Sequence, residues 1–128
     1  MTGRCSIFGG IHDDFMKQDE GLALWEHWEC DRRPDLFNVR SLDTSLGSSK
    51  RLKDNALYFA YRYDATRPRA CLQKEAFLFT NPKNKLSVVC HLVDWGPSDE
   101  TMRMFDLSPY AASLLRIKTD EEVTGEPY

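Results

Sequence analysis

Val93-Asp94-Trp95-Gly96-Pro97, followed after a short spacer by Arg103-Met104-Phe105-Asp106-Leu107-Ser108-Pro109, decides how this chain is read. It has the pattern of a strand end, a Gly-Pro turn, a short returning strand and the start of a helix. Two carboxylates, Asp94 and Asp106, flank the turn, each framed by apolar residues. An aspartate so framed sits exposed at a strand end, is held by hydrogen bonds, or is kept for chemistry. Asp106 has a plainer alternative, which is to help cap the helix opening at Ser108.

Working outward, Ser108 is a good N-cap. Pro109 falls at the first helical position, where its missing N–H costs nothing, and the helix should run to about Leu115. Upstream, Leu86 to Val93 is predicted as a central strand, Glu75 to Thr80 as the strand before it, and Asn81-Pro82-Lys83-Asn84 as the turn between them. Ala56 to Tyr63 is rich in aromatics and should cross the core as a strand. A turn is expected around Pro68. Residues 3–8 form a first strand that ends at Gly9-Gly10. Leu22 to Trp25 is a buried strand or the start of a helix. Residues 26–55 are charged and turn-rich and are expected to be a long surface excursion. Glu122-Val123-Thr124 is a last short strand. Many short strands with a single predicted helix give a mainly β, barrel-like domain.

The motifs resemble those of the double-psi β-barrel domains: rare lipoprotein A, the expansins and the family-45 endoglucanases. Asp94-Trp95-Gly96-Pro97 and Asp106-Leu107-Ser108 match their D-x-G-P and D-L-S elements. Phe79-Thr80-Asn81-Pro82-Lys83-Asn84-Lys85-Leu86-Ser87-Val88-Val89 is similar to their V-T-N-x-x-N-G-K-S-V-V hairpin, and Ala111-Ala112 and Leu114-Leu115 continue the match. Gly3 to Gly10 matches their opening G-x-A-S-x-Y-G strand more faintly, and nothing in between matches. The resemblance implies a six-stranded double-psi β-barrel, with one short helix after the Asp-Leu-Ser motif and a long irregular insertion. It also implies an open groove crossing the barrel. Trp95 replaces the usual arginine of D-R-G-P, the loop between the aspartates is one residue longer, and the family's T-A-A-H segment has no counterpart.

What the resemblance implies about chemistry falls on Asp106, the acid of the endoglucanases, with Asp94 lining the same groove. Two nearby carboxylates do not both ionise easily, so one is pushed towards the protonated form. A protonated acid can donate to a glycosidic oxygen. Inverting hydrolysis adds a base, with the carboxyls about 6.5–9.5 Å apart; Asp13, Asp14 and Glu20 are the candidates. A lytic transglycosylase needs one residue as acid and then base. Ser6 matches the opening-strand hydroxyl and is expected to bond Asp106 across the groove. Trp95 offers a sugar ring an apolar plane or, alternatively, caps the barrel core. If Cys90 faces the core, His91 faces water or the groove. His12 beside Asp13 and Asp14 reads as a solvated loop, since no second histidine has ligand spacing. No metal or other cofactor is expected.

At 128 residues the chain fits one domain with a modest core. Its net charge of −3 argues against nucleic acid or an anionic membrane as partner. No apolar run approaches the roughly 20 residues of a membrane span, and no signal peptide is read at the start. That fits a phage-type product, another export route or a removed leader. Cys5, Cys30, Cys71 and Cys90 form no C-x-x-C pair and allow either two disulfides or reduced core thiols. Three functions stay open: a peptidoglycan-directed glycan-cleaving domain, an expansin-like polysaccharide binder, or an interaction barrel docking a protein through residues 26–55.

Overall fold

The computed structural model describes residues 1–39 and 46–128. Six strands close into a barrel: β1 (Thr2–Ile7), β2 (Tyr58–Tyr61), β3 (Ala76–Thr80), β4 (Ser87–Asp94), β5 (Phe105–Leu107) and β6 (Glu122–Pro127). Around the barrel they run β1-β5-β2-β4-β3-β6 and back to β1. The sheet is mixed. β1 pairs in parallel with β5 and β2 with β4, while the other four seams are antiparallel. Closure leaves no barrel strand with an unpaired edge.

Alternation along the strands fills the interior. Phe77 and Phe79 of β3, Phe59 and Tyr61 of β2 and Phe105 of β5 converge there. The ring centroids of Phe59 lie 4.9 Å from those of both Phe77 and Phe79, and those of Phe79 and Phe105 lie 5.0 Å apart. Edge and tilted packing of this kind adds to the burial of large apolar rings. Gly125 of β6 lies against this cluster, where a Cβ would meet the rings of Phe79 and Phe105.

Helix α2 (Pro109–Leu115) follows β5 directly. Ser108 Oγ accepts from Ala111 N at 3.1 Å, Pro109 begins the helix, and Arg116 closes it in the left-handed conformation at φ 54°. Asn81 and Asn84, in the β3–β4 turn, both donate to the Leu115 carbonyl, at 2.9 and 3.0 Å, and satisfy the helix end. The expected turn around Pro68 is present over residues 64–67, closed by Arg67 N to Asp64 O at 3.1 Å, and Pro68 then leads into a one-turn helix, α1 (Arg69–Leu72).

Two expectations for the stretch between β1 and β2 are corrected. Leu22 to Trp25 is neither strand nor helix. Leu24 N reaches Val93 O at 3.4 Å and the Trp25 indole donates to Leu92 O at 3.3 Å, but no ladder forms; the segment is laid irregularly against the end of β4. Nor is the stretch 26–55 a surface excursion, although its residues 40–45 lie outside those described. Cys30, Leu36, Phe37, Ser48, Ser49, Arg51 and Leu52 are buried. Its polar composition hides this because the polar groups are paired internally. Arg51, only 4% exposed, donates to the carbonyls of His27 and Asn38, at 2.8 and 3.0 Å, and to Asp31 at 2.5 Å. Glu29 is buried and takes hydrogen bonds from Arg69 and Gln73 of the α1 region. All four cysteines are free thiols; Cys5, Cys30 and Cys90 are buried and Cys71 is exposed.

Candidate functional site

Strand register builds the site. Ser6 of β1 stands opposite Asp106 of β5, and Asp106 opposite Ala60 of β2. On the other side of β2 the register to β4 shifts between Phe59 and Ala60, so that Leu92 pairs with Phe59 and Asp94, skipping Val93, with Ala60. Directly opposed residues share a face of the sheet. Ser6, Asp106, Ala60 and Asp94 therefore form one row across four strands, on the outer wall of the barrel, because Phe105, Leu107 and Phe59 point inward. Two inter-strand steps separate the aspartate backbones, about 10 Å. The residue between them is Ala60, which is buried.

Asp106 faces a cleft of about 540 Å³. Its lining includes Ser6, Phe8, Asp13, Phe15, Pro97 and Arg103. The Ser6 hydroxyl donates to Asp106 Oδ1, so the expected bond across β1 and β5 is present. Asp106 makes no cap to α2; Ser108 does that work. Burial pushes the Asp106 carboxyl above the ordinary carboxylate range and the negative charge of Asp13 adds to this, while the Ser6 hydrogen bond and the charges of Arg103 and Arg62 oppose it. Gly96, at φ +147°, lies so near that a Cβ would stand 3.6 Å from Asp106 Oδ2.

Asp94 is held differently. Its Oδ1 accepts from Ala23 N at 2.8 Å and from its neighbour Trp95 N at 2.9 Å. The Gly21–Trp25 stretch thus covers it, and Asp94 does not line the Asp106 cleft. Burial raises its pKa to about 6; the two backbone N–H groups oppose that rise, and the charges of Asp106 and Glu20 add to it. The two aspartates are electrostatic neighbours in one row, both half-buried, and of the two it is Asp106 that lines the cleft.

The remaining expected residues separate. Asp13 lines the cleft, and both of its oxygens are engaged, Oδ2 by Gly9 N at 2.7 Å and Oδ1 by Phe15 N at 3.0 Å. Asp14 lines a neighbouring chamber rather than the Asp106 cleft. Glu20 is exposed, lines no part of the cleft, and its carbonyl accepts the Ser49 hydroxyl at 2.7 Å. Trp95 is 46% exposed, so it does not cap the core; its indole N–H is satisfied by Tyr63 O at 3.1 Å. His91 lies elsewhere, in a depression with Asp35, Leu36 and Asn55, and burial, then the charge of Arg33, lowers its pKa.

Three contributors went unnoticed in the sequence. Ala60 sits in the row itself. Arg103 lies within the decisive stretch; it lines the cleft and is bridged to Asp120 at 2.8 Å. Arg62, the lone charge at the end of an aromatic run, holds the wall behind. It donates to Pro97 O at 2.6 Å and Arg103 O at 3.0 Å and pairs with Asp99 at 2.8 Å. Among the described residues no group of three or more His, Cys, Asp or Glu side chains is placed to hold a metal ion, and no helix is long and apolar enough to cross a membrane. No protein-family model and no curated protein matches this chain.

Proposed function

We propose that the chain is a double-psi β-barrel domain that binds cell-wall glycan, peptidoglycan first among candidates, and cleaves it with Asp106 as acid and then base. The observation that carries this reading is the row Ser6–Asp106–Ala60–Asp94, which opens into a cleft at Ser6 and Asp106. The two parallel seams, β1 with β5 and β2 with β4, are compatible with the double-psi arrangement.

A carboxyl raised by burial holds a proton nearer neutral pH than a solvated one. It donates that proton to the glycosidic oxygen as the bond to the anomeric carbon breaks. The carboxylate left behind takes a proton from the sugar's own hydroxyl as that oxygen attacks the anomeric carbon, and Asp106 is restored. Inverting hydrolysis is less well supported, because it requires a second carboxylate free to activate water. Asp94 does not line the cleft, and the Asp13 carboxylate, which does, is turned to the Gly9 and Phe15 N–H groups.

The test is to incubate purified peptidoglycan strands with wild type and with Asp106→Asn. Release of anhydro-sugar ends by wild type, abolished in Asp106→Asn, is expected. Retention of both proteins on insoluble peptidoglycan, with cellulose alongside, reports binding apart from chemistry. Undiminished release by Asp106→Asn would remove Asp106 from the reaction. Retention of wild type without cleavage would make the domain a binder, and absence of both would end the glycan reading.

A further inference from the structure

Arg103 lines the same cleft as Asp106. An arginine within reach of a carboxylate pairs with it in a two-bond fork and keeps it ionised. Here the fork goes to a different carboxylate. Arg103 Nε donates to Asp120 Oδ1 at 2.8 Å and Nη2 donates to Asp120 Oδ2 at 3.2 Å. Asp106 is left with the Ser6 hydroxyl, and the charge of Arg103 acts on it across the cleft.

Both partners of the fork are fixed by their backbones. Asp120 takes the left-handed conformation at φ 70°, and its N–H donates at 2.7 Å to the carbonyl of Cys5, the residue before Ser6. Its neighbour Thr119 lines the cleft. Arg103 O accepts from Arg62 at 3.0 Å, and Arg103 N donates to Thr101 Oγ1 at 3.2 Å. Strand β1 therefore sets two partners at once: Ser6 for Asp106 and, through Cys5, Asp120 for Arg103. The Asp120 side chain is 49% exposed, and ion pairs so placed add little to stability. What this one fixes is the direction of the guanidinium.

We propose that Asp120 is a positioning residue for the reaction: it holds Arg103 away from Asp106, so that Asp106 keeps a proton to donate. The inference rests on the reading of Asp106 as the acid and adds to it a residue outside the row. Without the Asp120 carboxylate, Arg103 turns to a carboxyl within the cleft. Asp13 is directed at the Gly9 and Phe15 N–H groups, so Asp106 is the acceptor left, and pairing favours its ionised form. The other groups that act on Asp106 or on Asp120 have partners of their own. Asp94, at the end of β4, is bonded by Ala23 N and Trp95 N. Arg62, after β2, is committed to Asp99, Pro97 O and Arg103 O. Arg4 donates to Met102 O, and the Cys5 thiol to Lys118 O.

The experiment follows the Asp106 carboxyl by NMR through a pH titration in wild type, in Asp120→Asn and in Asp120→Asn with Arg103→Gln. Release of anhydro-sugar ends by the same three proteins is measured at neutral pH. Asparagine tolerates the left-handed conformation, so Asp120→Asn keeps the turn. Asp120→Asn is expected to lower the Asp106 titration midpoint and to cut cleavage about tenfold, the order expected when an arginine reaches a carboxylate. Adding Arg103→Gln should return both to the wild-type level or above it. An unmoved midpoint in Asp120→Asn overturns the proposal. So does a loss of cleavage that Arg103→Gln leaves in place, because a structural role for Asp120 would not be rescued by removing Arg103. A lowered midpoint in a protein that cleaves no glycan keeps the hold on Asp106 and ends the glycan reading. An unmoved midpoint in a protein that does cleave ends the hold and keeps that reading.

Discussion

The barrel and the stretch between β1 and β2 are held together by different means. The barrel strands follow alternation, and their backbone groups are satisfied in a closed ladder around an aromatic core. The described part of residues 8–57 has one isolated bridge, Phe37 with Leu52, and otherwise relies on turns, buried apolar anchors and side chains that bond backbone. Ser48 Oγ accepts from Leu22 N at 2.8 Å, Ser49 donates to Glu20 O, and Arg51 gathers three backbone and side-chain acceptors. The difference divides the work at the site. The barrel supplies the row that contains Asp106, and the irregular stretch supplies the cover over Asp94 and the Phe15 wall.

The largest effect should come from the barrel. Phe59→Ala removes a ring packed against Phe77, Phe79 and Tyr61 and should cost about 3–5 kcal/mol in urea unfolding. Both regions should then unfold together, since the irregular stretch has nothing else to rest on. A loss below about 1 kcal/mol would mean that the aromatic cluster is not what holds the barrel closed.

Asp94 sits at the joint between the regions, and its titration probes that joint. Its folded-state pKa of about 6 lies above its ordinary 3.8. The folded protein therefore keeps a proton that the unfolded chain has released, and stability falls as pH rises from about 4 to about 6. The Asp94 share of that fall is at most about 3 kcal/mol. Asp94→Asn should remove it, so the stability gap between variant and wild type should change across this window and stay constant above pH 7. A constant gap throughout would place Asp94 in water rather than under residues 21–25.

The smallest effect should be local. Arg51→Met keeps the apolar stem and strands the acceptors of the guanidinium, at a cost of about 2 kcal/mol. Hydrogen exchange should speed up across residues 26–39 and 46–55, while β3 and β4 stay protected. Equal acceleration in the β3–β4 hairpin would dissolve the distinction between the two regions.

The same division explains what was legible in the sequence. β3, β4 and the Ser108–Pro109 helix start could be read because alternation and capping are local signals, whereas the Ser6–Asp106 pair, 100 residues apart, was expected only from the family resemblance. The Asp94–Ala60–Asp106 row could not, since it depends on a skipped residue in a parallel seam that only barrel closure fixes. Residues 26–55 misled because charged side chains read as solvated, and Arg51 and Glu29 are buried on partners that no spacing rule connects. Phe15, in a polar run, gave no sign of being held out by its neighbours.

The position of β1 bears on how this molecule is made. Its two neighbours are β5 and β6: Ser6 meets Asp106 100 residues later, and Thr2 meets Thr124 across 122. At about 5–20 residues per second, a ribosome releases the first strand roughly 5–20 s before its partners. During that interval β1 has no native ladder to join, and a contact order this long also slows closure after release. The seam that brings Ser6 to Asp106 is thus among the last to form, so a nascent chain stalled anywhere before β5 has neither a barrel nor a site.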